Sequence, residues 1–596
     1  MLRKDIDEKD KWDLTKFFKS DKDYDAVYNK VIKLNDEVVS YKGTIMRSSD
    51  GLYDFLELYN KLEYYLEKIY VYSYLFHYSD TKDDKGKVLI SRADKLIEIV
   101  NSSTSFVRSE MLSVSYDYVL NLINENKKLK DYSFYLECLF RYGEHTLSDK
   151  EEKIISLAIN AMGGNENVFS ALNNSDAKFG EILDNGKKVE LTHSNYISFM
   201  SNKNRKLRKK VFFKYYDFFK DHYNSITEMY KSKVKEDLFL SEVRKYSSPL
   251  EMSLFNDNID VSVYKNLINT IHKNLNPLYD YMKLRKEYFG LKEMHMYDIY
   301  VDMVDSEARK FSFEEARDII CSAVSPLGEE YVTDLKKAFE NRWIDKYPND
   351  GKRSGAYEWG CYGIDPYVSI NFEGTEDSVS TLAHELGHAM HTYYSNKSQN
   401  YIYANYPIFL AEIASTVNEV LLNDYMIKNA KTDQEKLVYI SSFLDKFRGT
   451  VYRQTQFAEF EMIVHDMEQK GEALTPDSLS KLYYNLNKLY YGENVVSDDV
   501  IRYEWARIPH FYTPFYVYKY ATGFCAALAI AGEILNGNEE MRKKYIEFLN
   551  SGSSKYPLDT LNACGVDMTS SYPIESAIKL FKDKLQQAYD IVKKVK

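Results

Sequence analysis

Two histidines four residues apart, His384 and His388, with Glu385 beside the first, lie in Thr381-Leu-Ala-His-Glu-Leu-Gly-His-Ala-Met-His391. On a helix, residues four apart share a face, so both imidazoles can reach one cation while the adjacent carboxylate leans over its open side. This His-Glu-x-x-His pattern implies zinc and a hydrolytic reaction with Glu385 as general base. A helix capped by Thr375 or Asp377 after Gly374 puts Val379, Leu382, Ala383, Leu386 and Met390 on one apolar side. His384, His388 and His391 fall opposite, outside that core stripe. Gly387 costs the helix about 1 kcal/mol relative to Ala and reads as permissive, leaving space for a substrate or a second helix.

Catalytic zinc takes three protein ligands and keeps one position open. The metzincin pattern is excluded, because it requires Gly at 391 and His at 394, where this chain has His391 and Tyr394. Pro407-Ile-Phe-Leu-Ala-Glu-Ile-Ala-Ser-Thr-Val-Asn-Glu-Val-Leu-Leu-Asn423 reads as a helix with Pro at its first turn. Glu412, Ser415, Thr416 and Glu419 share one face of an otherwise apolar segment. A carboxylate buried there is either paired with a cation such as Arg or bound to metal. Glu412 is the expected third ligand, and Glu419 the expected acceptor for the outer nitrogen of a ligand imidazole.

The elements around this pair must hold it still. Tyr367-Val-Ser-Ile-Asn-Phe372 is a short β-prone run just before the histidine helix, and Gly355-Ala356-Tyr357-Glu-Trp-Gly360 is expected to loop alongside it. Residues 20 to 160 show apolar positions recurring at three and four, as in successive amphipathic helices. Near 179–192, Asn185-Gly186 between two short alternating runs predicts a β-hairpin. The run Arg205-Lys-Leu-Arg-Lys-Lys210 reads as a solvated helix face. A boundary near residue 200 gives two domains: 1–200, helical with the hairpin, and 201–596, holding the candidate chemistry.

Bulk composition narrows the function class. At 596 residues the chain exceeds one compact core and predicts at least two lobes. Only 24 Gly and 11 Pro favour long helices, so the fold class is mostly α. A net charge of -11 argues against nucleic acid as a partner. The 54 tyrosines are read mainly as interhelical packing. Five scattered cysteines form neither a disulfide framework nor a cysteine metal site and fit a reducing, cytoplasmic location. No apolar run of 18 residues and no apolar signal core occur, so neither a membrane span nor export is expected.

The histidine helix followed by Phe409-Leu-Ala-Glu412-Ile-Ala-Ser-Thr416 resembles the oligoendopeptidase F branch of the thimet oligopeptidase and neurolysin family of zinc metallopeptidases. The likeness extends to Lys11-Trp-Asp-Leu-Thr15, Arg205-Lys-Leu-Arg208, Arg244-Lys-Tyr246-Ser, Gly355-Ala-Tyr357, His510-Phe-Tyr-Thr-Pro-Phe-Tyr-Val-Tyr-Lys-Tyr-Ala-Thr-Gly523 and Cys564-Gly-Val-Asp-Met568. It implies a two-lobed helical body around a deep channel that excludes folded proteins, with a small β-sheet beside the zinc helix. It also implies one zinc ion per chain and an endopeptidase acting on short peptides.

In the resembled family a His and a Tyr from the 510–523 region bind the oxyanion that develops on the attacked carbonyl. Carried over, these are His510 and Tyr516. The thimet-type members have Tyr five residues after the His, where this chain has Phe515, so Tyr512, Tyr516 and Tyr520 all stay as candidates. Gly355, Ala356, Tyr357, Tyr512 and Tyr520 are the expected substrate contacts. Two rival readings are a carboxypeptidase of related helical fold and a helical protein with structural zinc. An intact Glu385 disfavours the second, because a closed site has no use for a base.

Overall fold

The computed structural model describes residues 1–304 and 309–595. Helices dominate, and the longest lie where breakers are scarce. Helix α1 (Ser49–Ser79) has Gly51 only in its first turn, and Asn185 (φ 46°) and Gly186 (φ 79°) then supply the left-handed pair that joins β1 (Glu181–Asp184) to β2 (Lys187–Glu190), as expected. Helix α2 (Arg205–Val243) runs 39 residues without Gly or Pro. Next come β3 (Ile344–Asp345), β4 (Tyr357–Cys361) and β5 (Ile364–Ser369), then α3 (Glu376–Ser398), α4 (Ile408–Asn429) and α5 (Arg453–Gln469). Among the described residues no helix is long and apolar enough to cross a membrane.

The chain forms two compact units, each drawn from three segments. One contains Met1–Thr146, Ala308–Tyr425 and Glu533–Gly565; the other contains Leu147–Glu307, Met426–Gly532 and Val566–Lys596. The boundary expected near residue 200 falls inside the second unit. The first unit joins the N-terminal helices to the histidine helix.

Within the first unit the sheet order is β3-β5-β4, with β4 antiparallel and β3 parallel to β5. The expected strand at 367–372 therefore starts earlier, at Ile364, and occupies the centre. Part of the expected loop, from Tyr357 onward, is the edge strand. Alternation along β4 decides what each face meets. Trp359 faces α1, with its ring 5.7 Å from Tyr70 and 6.0 Å from Tyr74. Gly360 faces α3 so closely that a Cβ there would come within 2.2 Å of the Thr392 methyl. The N-terminal segment closes the sheet by setting Trp12 edge-on to Tyr367, ring centroids 6.0 Å apart.

In the second unit the basic run at the start of α2 is not uniformly solvated. Lys206, Lys209 and Lys210 are exposed, but Arg208 is buried, because positions 205 and 208 turn one face towards fully buried Asp298. Arg208 Nη2 donates to Asp298 Oδ1 at 2.7 Å and Arg205 Nη2 to Oδ2 at 2.9 Å. Breaking a buried pair from one side leaves uncompensated charge, which costs about 3–5 kcal/mol. Asp298→Ala is therefore expected to lower the unfolding free energy of the unit by that order and its urea midpoint with it, and a midpoint unchanged within error would contradict it.

Candidate metal centre

Helix α3 starts where Thr375 accepts from the Ser378 N–H at 3.1 Å, with Glu376 and Asp377 in its first turn. Val379, Leu382, Ala383, Leu386 and Met390 are all buried, as the apolar stripe requires. Helix α4 begins just after Pro407, whose carbonyl accepts from Leu410 and Ala411. The two helices cross at Gly387. A Cβ there would lie 2.5 Å from Ser415 Cα and 2.7 Å from the Ala414 carbonyl oxygen. Both are backbone atoms and cannot swing away, so Gly387 is required rather than merely permissive. Asn418 reinforces the crossing, donating to the Ala383 carbonyl at 3.2 Å while Tyr331 donates to its oxygen at 3.0 Å.

That crossing brings three ligand atoms together. His384 Nε2 and His388 Nε2 are 3.2 Å apart, and Glu412 Oε2 lies 3.5 Å from the first and 3.8 Å from the second. His384, His388 and Glu412 thus form a cluster that can hold a metal ion. A point equidistant from all three atoms in their plane is about 2.0 Å from each, the reach of zinc to imidazole nitrogen or carboxylate oxygen. Helix α4 also orients the rings. Glu419 Oε1 lies 2.8 Å from His384 Nδ1, and the Ala411 carbonyl faces His388. A proton held on Nδ1 leaves Nε2 with its lone pair towards the cluster. Burial, with the charge of His384, pulls the His388 pKa down to about 3, so it stands neutral, as a ligand must be. His384 goes the other way: burial opposes protonation, but Glu419 and the neighbouring Glu385 and Glu412 outweigh it.

Glu385 is buried beside the ligands. Burial lifts its pKa to about 7; His384 opposes the rise, Glu412 and Glu419 add to it, and the Glu358 backbone amide on β4 favours the charged form. Glu358 itself is pushed up to about 8 by burial, with the facing Thr392 hydroxyl working against this and the charge of Glu385 for it. Glu358, Ala411 and Asn418 carry no local signal in the sequence, since their roles come from a strand and a second helix folding against α3. His391 is fully buried and stacked on Tyr406 at 3.6 Å, so it packs the helix and stands outside the cluster.

The other expected residues divide. Asn371 donates to the Gly355 carbonyl at 2.9 Å, holding Gly355 (φ 84°) and Ala356 at the entrance to β4. Tyr357 turns its ring to Trp12 and Tyr78, the sheet face opposite α3. In the second unit His510, Tyr516 and Tyr520 form one half-exposed cluster, with His510 and Tyr516 nearly parallel at 6.3 Å and Tyr520 edge-on to both. Burial, and secondarily the charge of Arg453, lowers the His510 pKa and keeps the ring neutral. Tyr512 departs from expectation. It is 4% exposed and stacks on Phe169 at 4.5 Å, which makes it a core residue of its unit rather than a substrate contact.

Residues 198–580 match the family model described as peptidase family M3, and residues 110–179 match one described as oligopeptidase F. The chain is 41% identical to oligopeptidase PepF of Bacillus subtilis (strain 168), covering 100% of this chain and 89% of that protein. It is 37% identical to an oligoendopeptidase F homolog of Lactococcus lactis subsp. lactis (strain IL1403), with 99% of each chain covered. Among solved structures, oligoendopeptidase-F from Enterococcus faecium superposes with a TM-score of 0.74 at 32% identity, covering 96% of this chain and 99% of that one. A chain from Chlamydophila abortus reaches 0.93 at 35% identity, with 99% of both covered. The mostly helical fold with small sheets is the fold of these structures.

The helix crossing yields a test. In Gly387→Ala the new methyl meets α4 backbone, so α3 and α4 must separate at a cost of about 1–3 kcal/mol. Because the ligands come from both helices, chelator competition should strip metal from the variant at lower chelator concentration than from wild type. Equal metal retention would show that the close approach does not set the ligand geometry.

Proposed function

Because this chain belongs to peptidase family M3, we propose that its cluster holds zinc and that it hydrolyses internal bonds of short, unfolded oligopeptides. The observation that carries this reading is the triangle of His384, His388 and Glu412 ligand atoms, with sides of 3.2, 3.5 and 3.8 Å. Zinc bound there supplies Lewis acidity, polarising a scissile carbonyl and bringing the pKa of water down to about 7.

The chain's own groups do the rest. Glu385, adjacent to the first ligand, takes the proton of the attacking water and later passes it to the leaving amine. As the last strand of its sheet, β4 is the candidate to offer backbone hydrogen bonds to an extended peptide, so that binding need not depend on reading every side chain. By the resemblance, His510 and Tyr516 are the candidate donors to the developing oxyanion, and within their own unit Tyr520 stands edge-on to both rings. A cytoplasmic location belongs to the same reading, supported by five free cysteines.

Glu385→Gln should keep its metal yet lose about 10²- to 10⁴-fold in kcat, because it removes the base and no ligand. The companion assay is digestion of a peptide blocked at both ends, followed by mass spectrometry. Internal cleavage that disappears with a chelator is expected. Wild-type turnover in the variant, or cleavage confined to unblocked termini, would contradict the proposal.

A further inference from the structure

Between His510 and Tyr516 the chain makes a turn that its own residues do not favour. Phe515 has φ 55°, in the left-handed region that a bulky side chain rarely enters. Such a conformation persists only where the surroundings over-determine it. Here three contacts do so. The Phe515 N–H donates to Glu461 Oε1 on α5 at 2.7 Å, in a buried bond. Ser253 Oγ donates to the preceding carbonyl, that of Pro514, at 2.9 Å. The Phe515 ring is itself buried, edge-on to Tyr264 at 5.7 Å and 4.6 Å from His465.

Glu461 is the unusual member. It is fully buried, flanked in sequence by Phe460 and Met462, and its second oxygen, Oε2, has no hydrogen-bond partner. No ion pair to it is found among the described residues. Burial, opposed by the Phe515 N–H and reinforced by the charge of Asp237, pushes its pKa well up, towards the neutral form. A leucine or methionine would fill the same volume without the desolvation penalty, so the carboxyl must serve something other than packing or charge pairing. The hydrogen bond to Phe515 is what remains.

The consequence of that bond lies one residue on. Thr513 N–H to the His510 carbonyl closes the first half of the turn, and Lys519 N–H to the Tyr516 carbonyl starts the next helix. Phe515 is the joint between these halves. Its left-handed turn sends Tyr516 back over His510, the two rings within 11° of parallel. With φ in the common negative region, the residue after it would leave in another direction, and the hydroxyl and imidazole would no longer stand side by side.

We infer that Glu461 is a positioning residue for the His510–Tyr516 donor pair, acting from inside the core by fixing the backbone of Phe515. The inference rests on the reading that this pair serves the transition state. A donor displaced by an ångström loses most of its effect on turnover while leaving ground-state binding nearly intact, because its hydrogen bond strengthens only as the oxyanion forms.

The test is a mutant cycle on the zinc-loaded full chain, using a blocked peptide, with metal content and circular dichroism recorded for each protein. Glu461→Met keeps the volume and removes the acceptor. It should lower kcat about tenfold or more with KM nearly unchanged and zinc fully retained. Glu461→Gln keeps an acceptor oxygen in a neutral group and should turn over within about twofold of wild type. In a Tyr516→Phe background, Glu461→Met should cost little more, since the residue it positions has already lost its hydroxyl.

Wild-type kcat in Glu461→Met would overturn the inference, as would its full effect repeated on top of Tyr516→Phe. A folded Glu461→Gln with strongly lowered kcat would also overturn it, and this variant decides the matter if Glu461→Met does not fold. Wild-type kcat in Tyr516→Phe alone would instead remove the underlying reading, and the inference with it. The two failures are therefore distinguishable.

Discussion

The close crossing of α3 and α4 at Gly387 is the constraint on which the candidate centre depends. A glycine lets the two backbones approach until any Cβ would lie 2.5 Å from Ser415 Cα. At that distance one helix presents two imidazoles and the other answers with the Glu412 carboxylate, close enough to share a metal ion with them, and with Glu419 at the outer nitrogen of His384. Helical spacing alone sets His384 against His388; only the crossing sets Glu412 against both. The sheet adds the third support, because Gly360 lets β4 settle on the opposite side of α3 and brings the Glu358 amide to Glu385.

Burial is used in two opposite ways. Asp298, fully buried, stays charged because burial is outweighed by hydrogen bonds from Arg205 and Arg208, and it ties α2 to a distant segment of its own unit. Glu358 and Glu461 have no such cation, and for Glu385 the neighbouring His384 does not outweigh burial, so all three are raised towards the neutral form. A paired acid serves architecture, whereas an acid with a raised pKa can accept a proton, release one, or hold a backbone amide without carrying charge into the core. Burial also favours the neutral form of His388.

Features set by local periodicity were legible from the residues. The face shared by His384 and His388, the apolar stripe opposite, and the acids spaced along α4 all follow from 3.6 residues per turn. The hairpin at Asn185-Gly186 follows from turn chemistry. Features set by contacts distant in sequence were not. Nothing near Gly387 tells that Ser415 backbone will press on it, nothing near Tyr357 tells that it opens an edge strand, and nothing near Arg208 tells that Asp298 waits 90 residues on. Tyr512 looked like its neighbours Tyr516 and Tyr520 until Phe169 covered it. The amphipathic tyrosine side chain, by contrast, does suggest packing between elements, and Tyr196 and Tyr215 stack at 3.8 Å.

The central claim is that one zinc ion is held by two imidazoles and a carboxylate, and X-ray absorption at the zinc edge on purified protein tests it most directly. The account predicts one zinc per chain surrounded only by nitrogen and oxygen at about 2.0–2.1 Å, with the imidazole scattering of two rings. It also predicts that this signal is lost when His384 and His388 are both replaced by alanine. Sulfur at about 2.3 Å, or stoichiometric zinc surviving the double replacement, would contradict it.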